Sequence, residues 1–156
     1  GIARCDGFKE ALKPLIDDGT VEIVNEQDAE LQEEGLDITE QILTANPDVQ
    51  MIWCWNQTSL LGCAAALQNA GKSDIVLMGT DMSVELAKDM QSEDITLQAI
   101  TTQMPYDMGY QAVENAVKAV KGEEVEKEVM IPTYTYTKEN MDEIQTYIDE
   151  HQDLVE

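Results

Sequence analysis

The chain has 156 residues, enough for one domain that buries about 70% of the surface its unfolded form exposes. It carries 32 Asp and Glu against 9 Lys and Arg, a formal charge of -23, and no Lys or Arg lies between Lys13 and Lys72. Such a field repels phosphate backbones and anionic lipid, which excludes nucleic-acid and membrane-surface roles and suits a solubilised secreted or surface-exposed protein.

Taken in order, Phe8, Ala11, Leu12 and Leu15 recur at helical spacing after Arg4-Cys5-Asp6-Gly7, and Pro14 predicts that this first helix is short or kinked before Gly19. Val21 to Val24 reads as a short strand. After the polar loop Asn25 to Glu30, a helix carries Leu31, Ile38, Ile42 and Leu43 until Asn46-Pro47 stops it. Val49 to Trp55 is a β-favouring run ending on Asn56, and a helix from Thr58 to Ala70 follows, its Ala64, Ala65 and Ala66 allowing close packing and Gly71 capping it. Asp74 to Asp81 holds the unbroken apolar run Ile75 to Met78, then Gly79-Thr80-Asp81, the pattern of a doubly covered, central parallel strand ending in a loop. Ligands of open α/β sheets sit beyond the carboxyl ends of the strands, which puts Thr80 and Asp81 at the ligand position.

A helix from Ser83 to Met90, a strand from Thr96 to Thr102 ending on Gln103, and a break at Pro105 come next. Asp107 to Lys121 then carries Met108, Ala112, Val113, Ala116, Val117 and Val120 on one stripe, the clearest amphipathic helix in the chain. Val129 to Ile131 and Thr133 to Tyr136 read as extended segments, Thr137 as the cap of a last helix bearing Met141, Ile144, Tyr147 and Ile148, and Asp149 to Glu156 as a frayed tail. The repeated βα units predict a Rossmann-like open parallel α/β sheet with helices on both faces.

Chemistry-bearing constellations are few. Cys5, Cys54 and Cys63 form no CxxC pair, so neither a disulfide framework nor a metal site is indicated; Cys54 and Cys63 suit small buried hydrophobes. The single histidine, His151, lies in the tail and reads as solvated rather than as a catalytic base. Asp17 and Asp18 follow a helix rather than a strand, and Gln103 stands where a phosphoryl-receiving domain would want a lysine. No glycine-rich phosphate loop exists, and no catalytic residue or cofactor is indicated. What remains is a set of hydrogen-bonding residues at strand ends, Asn56, Thr80, Asp81 and Gln103, with Arg4 joining them on the expectation that it follows a strand before Gly1. Loop tips are polar anyway. Asp81 stands out, because a carboxylate accepting two hydroxyl hydrogens suits a polyol. Trp53 and Trp55 share one face of their strand, a pattern more typical of core than of a sugar platform, with Trp55 closer to the loop.

The motifs Arg4-Cys5-Asp6-Gly7-Phe8, Gly35-Leu36, Ala45-Asn46-Pro47-Asp48-Val49, Asn56 with Leu61-Gly62, Ala70-Gly71-Lys72, Gly79-Thr80-Asp81, Gln103 to Gly109, Lys121-Gly122-Glu123 and Thr137-Lys138-Glu139-Asn140 form one ordered series. In order and spacing the chain resembles the carboxyl-terminal half of the ribose-type periplasmic sugar-binding proteins, the receptors of ABC importers. The resemblance implies one lobe of a two-lobed periplasmic-binding-protein fold. It implies a small sugar or polyol ligand, an ABC transporter permease as partner, no catalysis and an extracytoplasmic location, periplasmic or lipid-anchored.

By that resemblance Arg4, Asn56, Asp81 and Gln103 hydrogen-bond the sugar, while Glu30 and Thr80 stand where ribose binders place aromatic rings. That departure implies a ligand more polar than ribose or of different shape. Residues 1–103 would form the ligand-binding lobe, lacking its first strand. Residues 104–131 would form hinge crossings and a helix of the other, missing amino-terminal lobe, and 132–156 a return segment and terminal helix. The helix Asp107 to Lys121, without its sheet, is expected to self-associate. The alternative is the effector-sensing domain of a LacI-type transcriptional regulator; the hinge Gln103-Met104-Pro105-Tyr106 and the Thr137 to Asn140 ending lie closer to the receptors.

Overall fold

The computed structural model describes residues 1–95 and 97–154. Its sheet has four strands in sequence order: β1 (Met51–Cys54), β2 (Val76–Thr80), β3 (Leu97–Thr102) and β4 (Tyr134–Thr137). The helices are α1 (Ile2–Asp17), α2 (Gln32–Ala45), α3 (Gln57–Asn69), α4 (Val84–Gln91), α5 (Pro105–Val120) and α6 (Met141–His151). The first three strands are parallel, with Cys54 opposite Gly79 and Thr80 opposite Thr101. The open α/β sheet predicted from the sequence is therefore present, and β2 is an inner strand.

Side-chain alternation assigns the two faces, with one slip: the pairing of β2 with β3 shifts between Leu77 and Met78, from Leu77 opposite Leu97 to Met78 opposite Ala99, which brings Leu97 and Ile100 to the same face. Ile52, Cys54, Leu77, Leu97 and Ile100 point into a core closed by Leu60 and Leu67 of α3, Leu86 and Met90 of α4, and Ile144 and Ile148 of α6. On the opposite face α1 lies over Trp53, stacking the Phe8 ring on it at 4.4 Å between centroids. Helix α2 packs on α3 at a closeness that only glycine allows. A Cβ at Gly35 would come within 2.5 Å of the Ser59 carbonyl oxygen, and one at Gly62 would overlap the Gln32 carbonyl.

Five details depart from the sequence expectations. Helix α1 starts at Ile2, not after Gly7, and continues past Pro14 to Asp17. Glu10 and Pro14 are both exposed, so water can take up the carbonyl that Pro14 leaves without a donor. Val21 to Val24 forms no strand; its backbone has no hydrogen-bonded neighbour strand among the described residues, and Ile23 and Val24 are 43% and 49% exposed. The sheet is not wholly parallel, since β4 runs antiparallel to β3 with Tyr136 opposite Ile100. Val129 to Ile131 makes no ladder, and Thr137 ends β4 rather than capping a helix. Its amide instead donates to the Asn140 side chain just before α6.

The tail is ordered as far as it is described. His151 stacks on Tyr147 at 4.1 Å, its Nδ1 lies 2.8 Å from the Tyr147 carbonyl, and a 3-10 turn covers Gln152–Leu154. The expected fraying at Val155 and Glu156 lies outside the described residues. Helix α5 matches the predicted stripe yet has no buried residue. Among the described residues no helix is long and apolar enough to cross a membrane.

Candidate functional site

The strand ends of β1 and β2 meet the first turn of α1. Arg4, on that turn, forms a fork with Asp81: Nη1 donates to Oδ2 at 2.5 Å and Nη2 to Oδ1 at 2.9 Å. Paired planar contacts of this kind are among the strongest charge-assisted hydrogen bonds. Nη1 also donates to the Trp55 carbonyl at 2.7 Å and lies 3.2 Å from Thr80 Oγ1, whose hydroxyl donates to the same carbonyl. Each side chain of the ion pair is 30% exposed, so the pair is reachable from solvent.

Asp81 takes φ 68°, a left-handed conformation that aspartate tolerates better than most residues. The backbone is pinned there by the Asp81 amide donating to the Thr101 carbonyl at 2.9 Å. The turn thus fixes the carboxylate where strand β2 stops.

Asn56 and Glu30 make a second cluster. Asn56 caps α3, its Oδ1 accepting from the Ser59 amide at 2.8 Å and the Ser59 hydroxyl at 2.6 Å. Its Nδ2 donates to the Glu30 carbonyl at 3.2 Å, which also accepts from the Thr58 hydroxyl. One Nδ2 hydrogen of Asn56 is left over, so its part in holding a ligand is narrower than a free strand-end amide would have. Glu30 is anchored through its backbone and its side chain is exposed. Gln103, just after β3, is exposed, and its side chain has no hydrogen bond among the described residues.

The structure therefore joins Arg4, Thr80 and Asp81 directly, joins Asn56 to Glu30, and leaves Gln103 apart. An open cavity of about 670 Å³ lies beside them, lined in part by Cys5, Asp6, Glu26, Asp28, Glu30 and Trp55. The main-chain carbonyl of Trp55 is a member of the site that residue types could not reveal. Its indole Nε1 is buried without an acceptor among the described residues. The capping role of Asn56, by contrast, has a readable signal, an asparagine directly before a helix.

Chemically the cluster suits binding. The Arg4 guanidinium has five N–H donors; the two fork bonds and the bond to Trp55 use three, leaving Nε–H and one Nη2–H. The Asp81 carboxylate has two of its roughly four acceptor positions in use. The pair offers donors beside acceptors at no net charge, a match for neighbouring hydroxyls. Cys63 is buried, and Cys54 packs against the same core. A hydrogen bond with Cys63, then burial, push the Cys54 thiol well above its ordinary pKa, which disfavours the thiolate a nucleophile would need. Among the described residues no group of three or more His, Cys, Asp or Glu could hold a metal ion.

Comparison with known proteins bears on the family and the fold. The family described as periplasmic binding protein domain matches residues 1–124. The ribose import binding protein of Escherichia coli is 40% identical over 92 residues, covering 59% of this chain and 30% of that protein. The D-allose-binding periplasmic protein of Escherichia coli is 34% identical over 127 residues, covering 80% and 39%. The periplasmic binding component of the arabinose ABC transporter from Shewanella sp. ANA-3, solved with alpha and beta-L-arabinofuranose, superposes with TM-score 0.84 at 23% identity. That superposition covers 98% of this chain and 51% of that one, and it speaks for the fold. The chain thus spans less than half the length of these two curated relatives, and it belongs to the periplasmic binding protein domain family.

Proposed function

We propose that this chain is the ligand-binding lobe of an extracytoplasmic solute receptor that captures a small carbohydrate or polyol for an ABC importer and performs no catalysis. The observation that carries the reading is the Arg4–Asp81 fork at the end of β2, half of whose hydrogen-bonding capacity stays open. The sugar-binding receptors among the relatives support it over the regulator alternative. Arg4 and Asp81 would hold ligand hydroxyls directly, with Asn56 contributing its spare N–H and Gln103 reaching in from the hinge side. Glu30, exposed where ribose binders carry a ring, would favour a ligand more polar than ribose.

Residues 1–103 would form the binding lobe, 104–131 the crossings and a helix belonging to the other lobe, and 132–156 the return segment. In the two-lobed receptor the permease would engage the closed form. In this chain alone, the apolar stripe of α5, with Val113 66% and Val117 47% exposed, would drive self-association.

Titration calorimetry of the two-lobed receptor against pentoses, hexoses and cyclic polyols tests the reading. Asp81→Ala should weaken binding of whichever ligand is found by about 1.5 kcal/mol or more, roughly tenfold. Unchanged affinity would remove Asp81 from the site, and turnover of a sugar by the purified protein would refute a purely binding role.

A further inference from the structure

Arg4 is the single arginine of the chain, and its guanidinium is held by more than its carboxylate partner. We propose that Thr80 is a positioning residue for Arg4, its hydroxyl acting as a bracket that locks the guanidinium so that one edge stays free for ligand oxygens. The free edge serves a ligand only if the receptor reading above holds; the bracket itself does not depend on it.

The argument starts from hydrogen counts. A carboxylate fork alone fixes two guanidinium nitrogens but lets the plane rock about the fork axis. A third contact off that axis stops the rocking. The Trp55 carbonyl supplies it, 2.7 Å from Nη1, and the Thr80 hydroxyl sits between the two, donating to that carbonyl and turning its oxygen lone pairs toward Nη1 at 3.2 Å. Because the single hydroxyl hydrogen goes to Trp55, Thr80 can face Arg4 only as an acceptor; with one Nη1 hydrogen in the Asp81 fork, it shares the other with the Trp55 carbonyl in a three-centre contact. Trp55 directly follows β1 and Thr80 ends β2, just past the last ladder pair, Cys54 opposite Gly79, so the bracket is built where two hydrogen-bonded strands stop.

Two donors are left. Nε–H makes no hydrogen bond among the described residues, and neither does the second Nη2–H; in a planar guanidinium these two point the same way from one edge. The bracket therefore presents a parallel donor pair suited to two adjacent ligand oxygens. Where the resemblance puts a ring in ribose binders, this chain spends the position on orienting Arg4, exchanging a stacking surface for a fixed hydrogen-bonding edge.

Nuclear magnetic resonance on the ¹⁵N-labelled chain gives a direct readout, because a lone arginine yields one side-chain Nε–H signal. Rotation about the Arg4 Cζ–Nε bond is expected to be slow in the wild type, at least tenfold faster in Thr80→Val, and within twofold of wild type in Thr80→Ser, with backbone amide spectra checking the fold. Rotation in Thr80→Val within twofold of wild type overturns the bracket. So does wild-type rotation as fast as that of free arginine, which needs no variant to fold. Adding D-ribose, D-allose or L-arabinose should shift the Nε–H signal. No shift with any of the three counts against the receptor reading, while the rotation rates still decide the role of Thr80.

Discussion

Helices α3 and α5 differ in a way that local sequence ranks backwards. In α5 the apolar residues fall on one clean stripe, yet the helix buries none of its 16 residues. In α3 small and apolar residues spread around the helix, and Ser59, Leu60, Gly62, Cys63, Ala64, Ala66 and Leu67 are all buried between β1, β2 and α2. Amphipathicity says that a helix has a face to cover. Whether the face is covered depends on a surface elsewhere, and for α5 the described residues provide none. Helix α3 is instead sandwiched, and its N-cap is the asparagine that reaches the Glu30 loop.

The largest expected effect breaks the sandwich. Gly62→Ala puts a methyl group onto the Gln32 carbonyl and within 2.7 Å of the Leu36 amide nitrogen, both backbone atoms that cannot rotate away. Separating α2 from α3 should cost about 3 kcal/mol or more, read as a lowered urea midpoint. Gly109→Ala on α5 meets nothing within 4 Å and should be neutral or stabilising by up to about 1 kcal/mol through helix propensity. Equal losses for the two glycines would erase the distinction between the helices.

A smaller effect probes the bare stripe. Val113→Ser with Val117→Ser removes exposed methyl groups only, so unfolding at low protein concentration should move by no more than about 0.5 kcal/mol. Sedimentation at high concentration should meanwhile lose the self-associated species. A stability loss above about 1 kcal/mol would mean that α5 is already covered within one chain.

The same contrast explains what could be read from the sequence. The β2 run Ile75 to Met78 was legible because a strand covered on both faces needs an unbroken apolar stretch, and the α5 stripe because its period is local. Val21 to Val24 has the composition of a strand but no partner beside it, and composition cannot supply one. Thr137 and Asn140 are both capping types; the chain turns three residues later than expected because Thr137 is held in the ladder opposite Ala99. At the site, Asp81 stood out as a strand-end carboxylate and Arg4 was a candidate beside it, and the family resemblance pointed to both, but their pairing was not legible, since no local pattern links residues 77 apart. The Thr80 bracket was out of reach altogether, because it turns on the position of a main-chain carbonyl.

The smallest effect concerns how the two helical regions begin. Helix α5 starts after Met104 with no side-chain cap, whereas at α2 the Glu34 carboxylate accepts from the Glu30 amide at 2.9 Å and the Leu31 amide at 3.0 Å. Leu31 offers no acceptor in return, so only the glutamate half of a capping box operates. The Leu31 bond first, then the Glu30 bond, hold the Glu34 carboxyl below its ordinary pKa. A depressed carboxylate pKa adds stability that is present above the unfolded value, about 4.3, and fades as pH falls through the folded value. Glu34→Gln should therefore lower the urea midpoint slightly at neutral pH, and the gap from wild type should close as pH drops below about 4.3. A gap that stays constant down the titration would mean that the glutamate acts through its shape and not its charge. Because the same carboxylate tethers the Glu30 amide, the variant should also loosen the loop on which Asn56 and Thr58 close, measurable as faster hydrogen exchange at Glu30 and Leu31 while the amides of α5 are unchanged.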